Sequence, residues 1–246
     1  MSSIYIALVP FLRSVGEVKT KPLQHSVQEL RRIDVQPDII VARGEKPLPG
    51  DAKMKISLFT NVPPDMMFSD PNVDNIYRIP LILHGQGLTK KITERLGLSY
   101  REPELSSRES FVEKLDRASR RIKIYMVGKY TKVRNSYISI VEAVKRASAE
   151  YMAKPEIAWV EATDIESGRA RPEEYLEDGA GYIIPPGFGR RGAKGKIRML
   201  KHLREGDRPT LGICFGLQLM AVEIARNALD LERANSTEID PATPTP

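Results

Sequence analysis

Cysteine is almost absent: Cys214 is the only one in 246 residues, so no internal disulfide can form. That scarcity fits a reducing compartment. No run of about 18 apolar residues occurs, which excludes an obvious membrane-spanning helix. The start, Met1-Ser2-Ser3-Ile4-Tyr5, lacks the basic region and long apolar core of a signal peptide. The expected location is therefore cytoplasmic. The net charge is +6, but the excess is small in both halves, and there is no basic tail or arginine-rich helix. A nucleic-acid arm is not expected, whereas a polyanionic small molecule such as a nucleoside triphosphate remains compatible. What is present is ordinary globular protein, 41% apolar and 28% charged, long enough for one or two domains.

Strand-like and helix-like segments alternate along the chain. Strands are expected at Ile4–Val9 and Ile39–Val41, and helices at Ser26–Ile33, Asp51–Phe59 and Leu88–Leu96. Residues 102–121 are highly charged and read as a connecting helix. The alternation then restarts, with strands at Ile122–Val127, Glu156–Glu161, Gly181–Ile184 and Pro209–Cys214. Helices are expected at Asn135–Ala149, Gly195–Arg204 and Leu219–Ala228. This order predicts an α/β fold of two doubly wound parallel sheets. Its division is 1–101, a linker helix 102–121, and 122–246. In such sheets, sites lie at the carboxyl ends of strands.

The lone cysteine sits in Gly212-Ile213-Cys214-Phe215-Gly216, between a strand-like and a helix-like run. This is the thiol form of the nucleophile elbow. Its flanking glycines relieve crowding in a tight strand-to-helix turn. The helix start places backbone N–H groups and a positive dipole end beside the sulfur, which favours the reactive thiolate. The alternative is a buried structural cysteine. None of His25, His84 and His202 stands in an evidently catalytic string. His84 reads as structural and His202 as a surface residue.

Two further strings carry possible chemistry. Gly187-Phe188-Gly189-Arg190-Arg191-Gly192 matches the dinucleotide fingerprint literally. It is not a first βα turn, and no acid ends the following strand. Gly195-Lys196 lacks the Ser/Thr of a phosphate loop, because Ile197 follows. We reject both readings and expect a glycine turn that aims N–H groups at a developing oxyanion. The other string, Gly16 to Ser26, carries Lys19, Lys21 and Gln24 ahead of a helix start expected near Ser26. It reads either as an anion cradle or as a solvated basic loop.

Together these strings resemble the CTP synthase family over nearly the whole chain. The resemblance rests on Leu8-Val9-Pro10, Gly16–Val27, Gln36–Arg43, Asn61-Val62-Pro63 and Val73–Pro80. It continues through Val127-Gly128-Lys129-Tyr130, Gly212–Gln218 and Ala234–Glu238. It implies a P-loop amidoligase-like domain followed by a flavodoxin-like class I glutaminase domain, and the amination of UTP to CTP in pyrimidine synthesis. Lys19, Thr20, Lys21, Pro22, Leu23, Gln24 and Lys55 would then contact UTP, and CTP as feedback inhibitor. Pro71, Asn72 and Val73 would line the ATP adenine site. Cys214 would attack glutamine, with Gly187 and Phe215 supplying oxyanion N–H groups, and Gly216, Leu217, Gln218 and Glu238 would help hold the glutamine. Arg190–Lys196 resembles a lid associated with GTP activation. The family also implies Mg²⁺, ATP and a homotetramer, without nucleic acid or membrane partners.

Three departures stand out. The family's ATP phosphate loop and magnesium carboxylates precede anything present here, and its His-Pro-Glu base follows Pro246. Both domains are therefore expected to be truncated and the chain alone inactive. The oxyanion loop reads Pro185-Pro186-Gly187 where the family has Pro-Gly-Gly. Pro186 removes one N–H and fixes φ near −65°, while Gly187 keeps its own N–H. The rival function is a non-catalytic nucleotide-binding or assembly module that pairs with full-length subunits. Lys19-Thr20-Lys21-Pro22 argues against another kind of glutamine amidotransferase.

Overall fold

The structure is a computed structural model and describes residues 2–131 and 133–245, with only the backbone of Arg134. The chain forms two compact units, Met1–Val112 and Glu113–Pro246. In the first, β1 (Ile4–Leu8), β4 (Ile39–Gly44) and β5 (Met67–Pro71) form a parallel sheet in the order β1-β4-β5. A short antiparallel ribbon joins β2 (Phe11–Leu12) to β3 (Glu17–Val18). Two helices, α1 (Lys21–Arg32) and α2 (Gly50–Thr60), put Leu23, Val27, Ala52 and Ile56 on Ala7, Val9, Ile40 and Ala42. On the opposite face, Ile39, Val41 and Phe68 pack with Leu83 of α3 (Ile79–Gly85) and with Leu88 and Ile92 of α4 (Leu88–Arg95). The strict alternation along β4 thus feeds two cores, as a doubly covered sheet requires.

The second unit begins with the last turn of α5 (Ser106–Arg117). Four parallel strands follow in the order β7-β6-β8-β9: β6 (Arg120–Gly128), β7 (Ala153–Glu161), β8 (Gly181–Ile184) and β9 (Thr210–Gly212). The helices are α6 (Ile138–Glu150), α7 (Ala162–Ser167), α8 (Ala193–Glu205) and α9 (Phe215–Ala228). Met199, Leu200 and Leu203 of α8 and Phe215 and Leu219 of α9 close a core with Tyr182, Ile184, Val127 and Val160. Both sheets are parallel, as the βα alternation predicts.

Several boundaries move. The expected connecting helix 102–121 contracts to Ser106–Arg117, because Arg120 and Arg121 already pair with β7. Strand β9 stops at Gly212, two residues before the cysteine. The helix expected from Ser26 starts at Lys21, since proline is well tolerated in a first turn and Pro22 sits there. Strand β5, the ribbon β2–β3, α3 and α7 carry no periodic signal in the sequence.

A half-buried ion pair holds α8 to α9, with Arg204 open to solvent and Glu223 beneath it. Glu223 is 2% exposed and accepts from Arg204 Nε at 3.0 and 3.1 Å and from Arg204 Nη2 at 3.0 Å. Arg204→Met is expected to lower the urea midpoint of this unit, because the Glu223 carboxylate stays buried with poorer partners. Trp159, the only tryptophan, lies on β7. Its fluorescence in a urea titration therefore reads the second unit alone.

Candidate active site

Residues leaving the carboxyl ends of adjacent strands β8 and β9 build the thiol site. Ile184 pairs with Gly212, and the Ile213 N–H donates to the Ile184 carbonyl at 3.0 Å. The chain then turns at Cys214, whose φ of 54° and ψ of −115° are rare for a residue bearing a side chain. This is the strain expected of a nucleophile elbow. Cys214 is exposed and caps α9. The N–H of Phe215 lies in the first turn of α9, where backbone donors have no intrahelical acceptor. Gly216 cannot carry a side chain: a Cβ there would lie 1.9 Å from the Ile184 carbonyl oxygen.

After β8 the loop Pro185–Gly189 runs alongside this turn. Gly187 has φ 154°, a conformation open mainly to glycine, so the loop keeps an N–H at that position despite Pro186. Two lysines hold the loop through backbone carbonyls. Lys196 Nζ donates to Pro185 O at 2.7 Å, and Lys129 Nζ donates to Phe188 O. Lys196 is 1% exposed. Burial, with the neighbouring Lys129 charge, pulls its ammonium down to about 8, while Glu161 acts in the opposite direction.

The segment after α9 returns to the same place. Ser236 Oγ donates to Gln218 Oε1 at 2.7 Å, and the Gly189 N–H donates to Glu238 Oε1 at 3.3 Å. Gln218 and Glu238 thus flank the elbow and the loop, while Leu217 is exposed on the first turn of α9. Beside them lies a cleft of about 610 Å³ whose lining includes Arg190, Arg191, Lys194, Arg226 and Asn235. The lid expected over Arg190–Lys196 is only half a loop. Residues from Ala193 onward are helical, and Lys196 is buried because Gly195 packs directly onto Ala162. His202 is the one histidine of this unit. It lies six residues beyond Lys196 on α8, about 9 Å further along the axis, and its Nδ1 is 3.4 Å from Glu173 Oε1. It belongs to the helix end remote from the elbow.

The first unit has its own cleft, of about 480 Å³, at the ribbon and the start of α2. Its lining includes Thr20, Lys46, Pro49, Asp51 and Lys55. Lys19 flanks it and bonds Glu17 Oε2 at 3.1 Å. Lys21 and Pro22 form the exposed first turn of α1. Gln24 is buried and donates to Thr20 Oγ1 at 3.0 Å. Leu23 points into the core, so its side chain holds the helix and leaves only its backbone for a ligand. Because α1 starts at Lys21, its N–H groups meet the lysines directly, a better anion site than a helix starting at Ser26 would give. Lys46, 4.3 Å over the Phe11 ring, joins the cleft although no motif marks it. Pro71 ends β5, and the Asn72 N–H donates to Gly44 O at 2.9 Å. Pro71-Asn72-Val73 therefore leaves the sheet at the carboxyl ends of β4 and β5. Nearby, Arg43 Nε lies 3.4 Å from Asp70 Oδ2.

Two family models match the chain. Residues 1–98 match the CTP synthase N-terminus model, and residues 132–241 match the class I glutamine amidotransferase model. A CTP synthase of Aeropyrum pernix is 50% identical over 243 residues. The chain belongs to the CTP synthase family. The Aeropyrum match takes in 99% of this chain and 45% of the relative. A CTP synthase of Sulfurisphaera tokodaii is 51% identical over the same length, 99% of this chain and 46% of the relative. The chain thus spans about half the length of the CTP synthases it matches. Among solved structures, the glutaminase domain of Trypanosoma brucei CTPS with bound acivicin aligns with a TM-score of 0.47 at 25% identity. That alignment covers 50% of this chain and 48% of that one. No described helix is long and apolar enough to cross a membrane.

Proposed function

We propose that the chain works in the amination of UTP to CTP with glutamine as nitrogen donor. The first unit would hold the pyrimidine nucleotide, and the second would hold the glutamine-attacking thiol. The observation that carries this reading is the strained Cys214 turn, set beside a glycine loop that two lysines pin and sharing one chain with a lysine-lined cleft. In the second unit the Cys214 thiolate adds to the glutamine side-chain carbonyl carbon. A C–S bond forms, and the carbonyl oxygen takes the negative charge. The N–H groups of Gly187 and Phe215 receive that oxyanion. The C–N bond then breaks as the leaving nitrogen takes a proton from solvent, giving ammonia and a glutamyl thioester, which water hydrolyses to glutamate and the free thiol. Gln218 and Glu238 would orient the amino-acid end.

In the first unit Lys19, Lys21 and Lys55 would meet the triphosphate, with the α1 N-terminus behind them. Thr20, Gln24 and the backbone at Pro22 and Leu23 would complete the cradle, for UTP or for CTP as inhibitor. Pro71, Asn72 and Val73 would border the ATP adenine, ATP serving to activate the uracil 4-oxygen. Among the described residues no group of three or more His, Cys, Asp or Glu could hold a metal ion. They do not by themselves make a magnesium site. The basic cleft at Arg190, Arg191 and Lys194 would take GTP as activator. The family's tetramer would be the assembled form.

The nucleotide half of this reading is open to a direct test. UTP at about 100 times its dissociation constant should stabilise the native first unit by about 2.7 kcal/mol. Combined Lys19→Ala, Lys21→Ala and Lys55→Ala should abolish that gain while leaving the unliganded stability within about 1 kcal/mol, since such surface changes are usually mild. Thermal unfolding with and without UTP checks it. An equal rise in the parent and the triple variant, or no rise in the parent, contradicts the assignment.

A further inference from the structure

Lys196 is expensive to keep where it is. The residue is 1% exposed, on the same helix as the core residues Met199 and Leu203 and beside the buried Phe215 ring. A buried ammonium loses hydration that one backbone hydrogen bond only partly replaces. The second ammonium on the same loop, that of Lys129, makes the cost larger, and it is reflected in the lowered basicity of Lys196. Neither lysine has a carboxylate within ion-pair distance among the described residues. Glu161 acts as a compensating charge, and it accepts from Thr131 Oγ1 at 2.7 Å and from Thr163 Oγ1 at 3.0 Å. A hydrophobic side chain of the same length would fill the volume more cheaply.

The position of the charge suggests what it does. Lys196 Nζ bonds the carbonyl of Pro185, two residues before Gly187, and lies 6.0 Å over the Phe215 ring. It therefore touches both segments that supply the two N–H groups assigned to the oxyanion. Lys129 holds the residue that follows Gly187 in the chain. Its Nζ bonds the carbonyl of Phe188, just after Gly187, and its stem fills the space where a Gly187 Cβ would lie, 3.2 Å from Lys129 Cε. The Gly187 peptide is thus bracketed by two carbonyls, each fixed by a lysine. Pro186 contributes no donor of its own to hold this stretch.

We propose that Lys196 is a positioning residue for the oxyanion loop: its buried ammonium, held on Pro185 O and facing Phe215, keeps the Gly187 and Phe215 N–H groups aimed at one point and adds a fixed positive charge behind them. Lys129 is the counter-clamp. A preorganised charge behind two donors strengthens their hold on a developing anion while leaving substrate binding nearly untouched. This inference rests on the glutaminase reading of Cys214 and deepens it.

The test uses the full chain and two thiol reagents. A chloroketone analogue of L-glutamine is attacked at its ketone carbon. An oxyanion forms, and a C–S bond then replaces the C–Cl bond as chloride leaves. Iodoacetamide alkylates the same sulfur by direct displacement, with no oxyanion. Lys196→Met removes donor and charge, and Lys196→Gln keeps a donor without the charge. The maximal chloroketone rate should fall about tenfold or more in Lys196→Met and by less in Lys196→Gln. The half-saturating concentration and the iodoacetamide rate should stay within about twofold, a split that general loosening of the fold would not produce. An unchanged maximal rate in whichever variant folds overturns the proposal, and so does a parallel fall in the iodoacetamide rate. Failure of the parent to react saturably with the chloroketone overturns the glutaminase reading, and this inference with it.

Discussion

Gly216→Ala is expected to cost the second unit on the order of 3 kcal/mol or more, a large share of the roughly 5–15 kcal/mol that holds a domain together. The cause is a backbone collision rather than a lost contact. The new Cβ would lie 1.9 Å from the carbonyl oxygen and 2.8 Å from the carbonyl carbon of Ile184, on a central strand of the sheet. Neither atom is the free end of a flexible side chain. Helix α9 would have to lift from β8, carrying Cys214 and the buried Phe215 and Leu219 with it. Leu217→Ala, one residue along and 60% exposed, should change stability by no more than about 0.5 kcal/mol. Urea titrations followed by Trp159 fluorescence compare the two. Equal midpoints would show that α9 does not approach the sheet this closely.

The second large effect is a dependence on pH. Lys196 holds its proton less firmly when folded, near 8, than its ordinary value of 10.5. Below pH 8 it is charged in both states, and burial of the charge counts fully against folding. Between about pH 8 and 10.5 the unfolded chain binds more protons, so stability must rise with pH. The total available is about 3 kcal/mol. Other groups titrate in this range, but they cancel in the difference between the parent and Lys196→Met. That difference should move in favour of the parent across the window and stay flat from pH 6 to 7.5. A flat difference throughout would mean that the ammonium is well solvated. At pH 7 the methionine variant escapes the burial cost but leaves the Pro185 carbonyl without its donor, at about 1–3 kcal/mol. The pH slope is therefore more telling than stability at a single pH.

The strand–cysteine–helix turn was readable because the glycines at 212 and 216 leave few alternatives. The two parallel sheets were readable from apolar segments separated by helical periods. Other features lay beyond local pattern. Pro22 and the lysines around it look like a loop, yet proline in a first turn is compatible with helix, and α1 begins five residues early. Met67–Pro71 has neither alternation nor β-branched residues, and it is a strand because β4 offers it a ladder. Leu23 falls inside a nucleotide-contact string but serves the core. Lys196 followed a glycine in a string that resembles a lid, where a lysine suggests an exposed charge. Only the approach of Gly195 to Ala162, set by the packing of α7 on α8, turns it inward beneath the loop. Long-range packing of that kind leaves no spacing rule to read.

Peptide mapping of the chloroketone-treated chain decides whether Cys214 is a glutamine-directed nucleophile. Cys214 is the only thiol, so the site of modification is unambiguous. One adduct is expected on the Cys214 peptide, with a rate that saturates in reagent and falls as L-glutamine is added. The L-analogue should react well ahead of the D-analogue, because Gln218 and Glu238 would fix the amino-acid end on one side of the elbow. A rate that rises linearly with reagent, ignores L-glutamine and does not distinguish the enantiomers would show that Cys214 is an ordinary exposed thiol and not a glutamine-directed nucleophile.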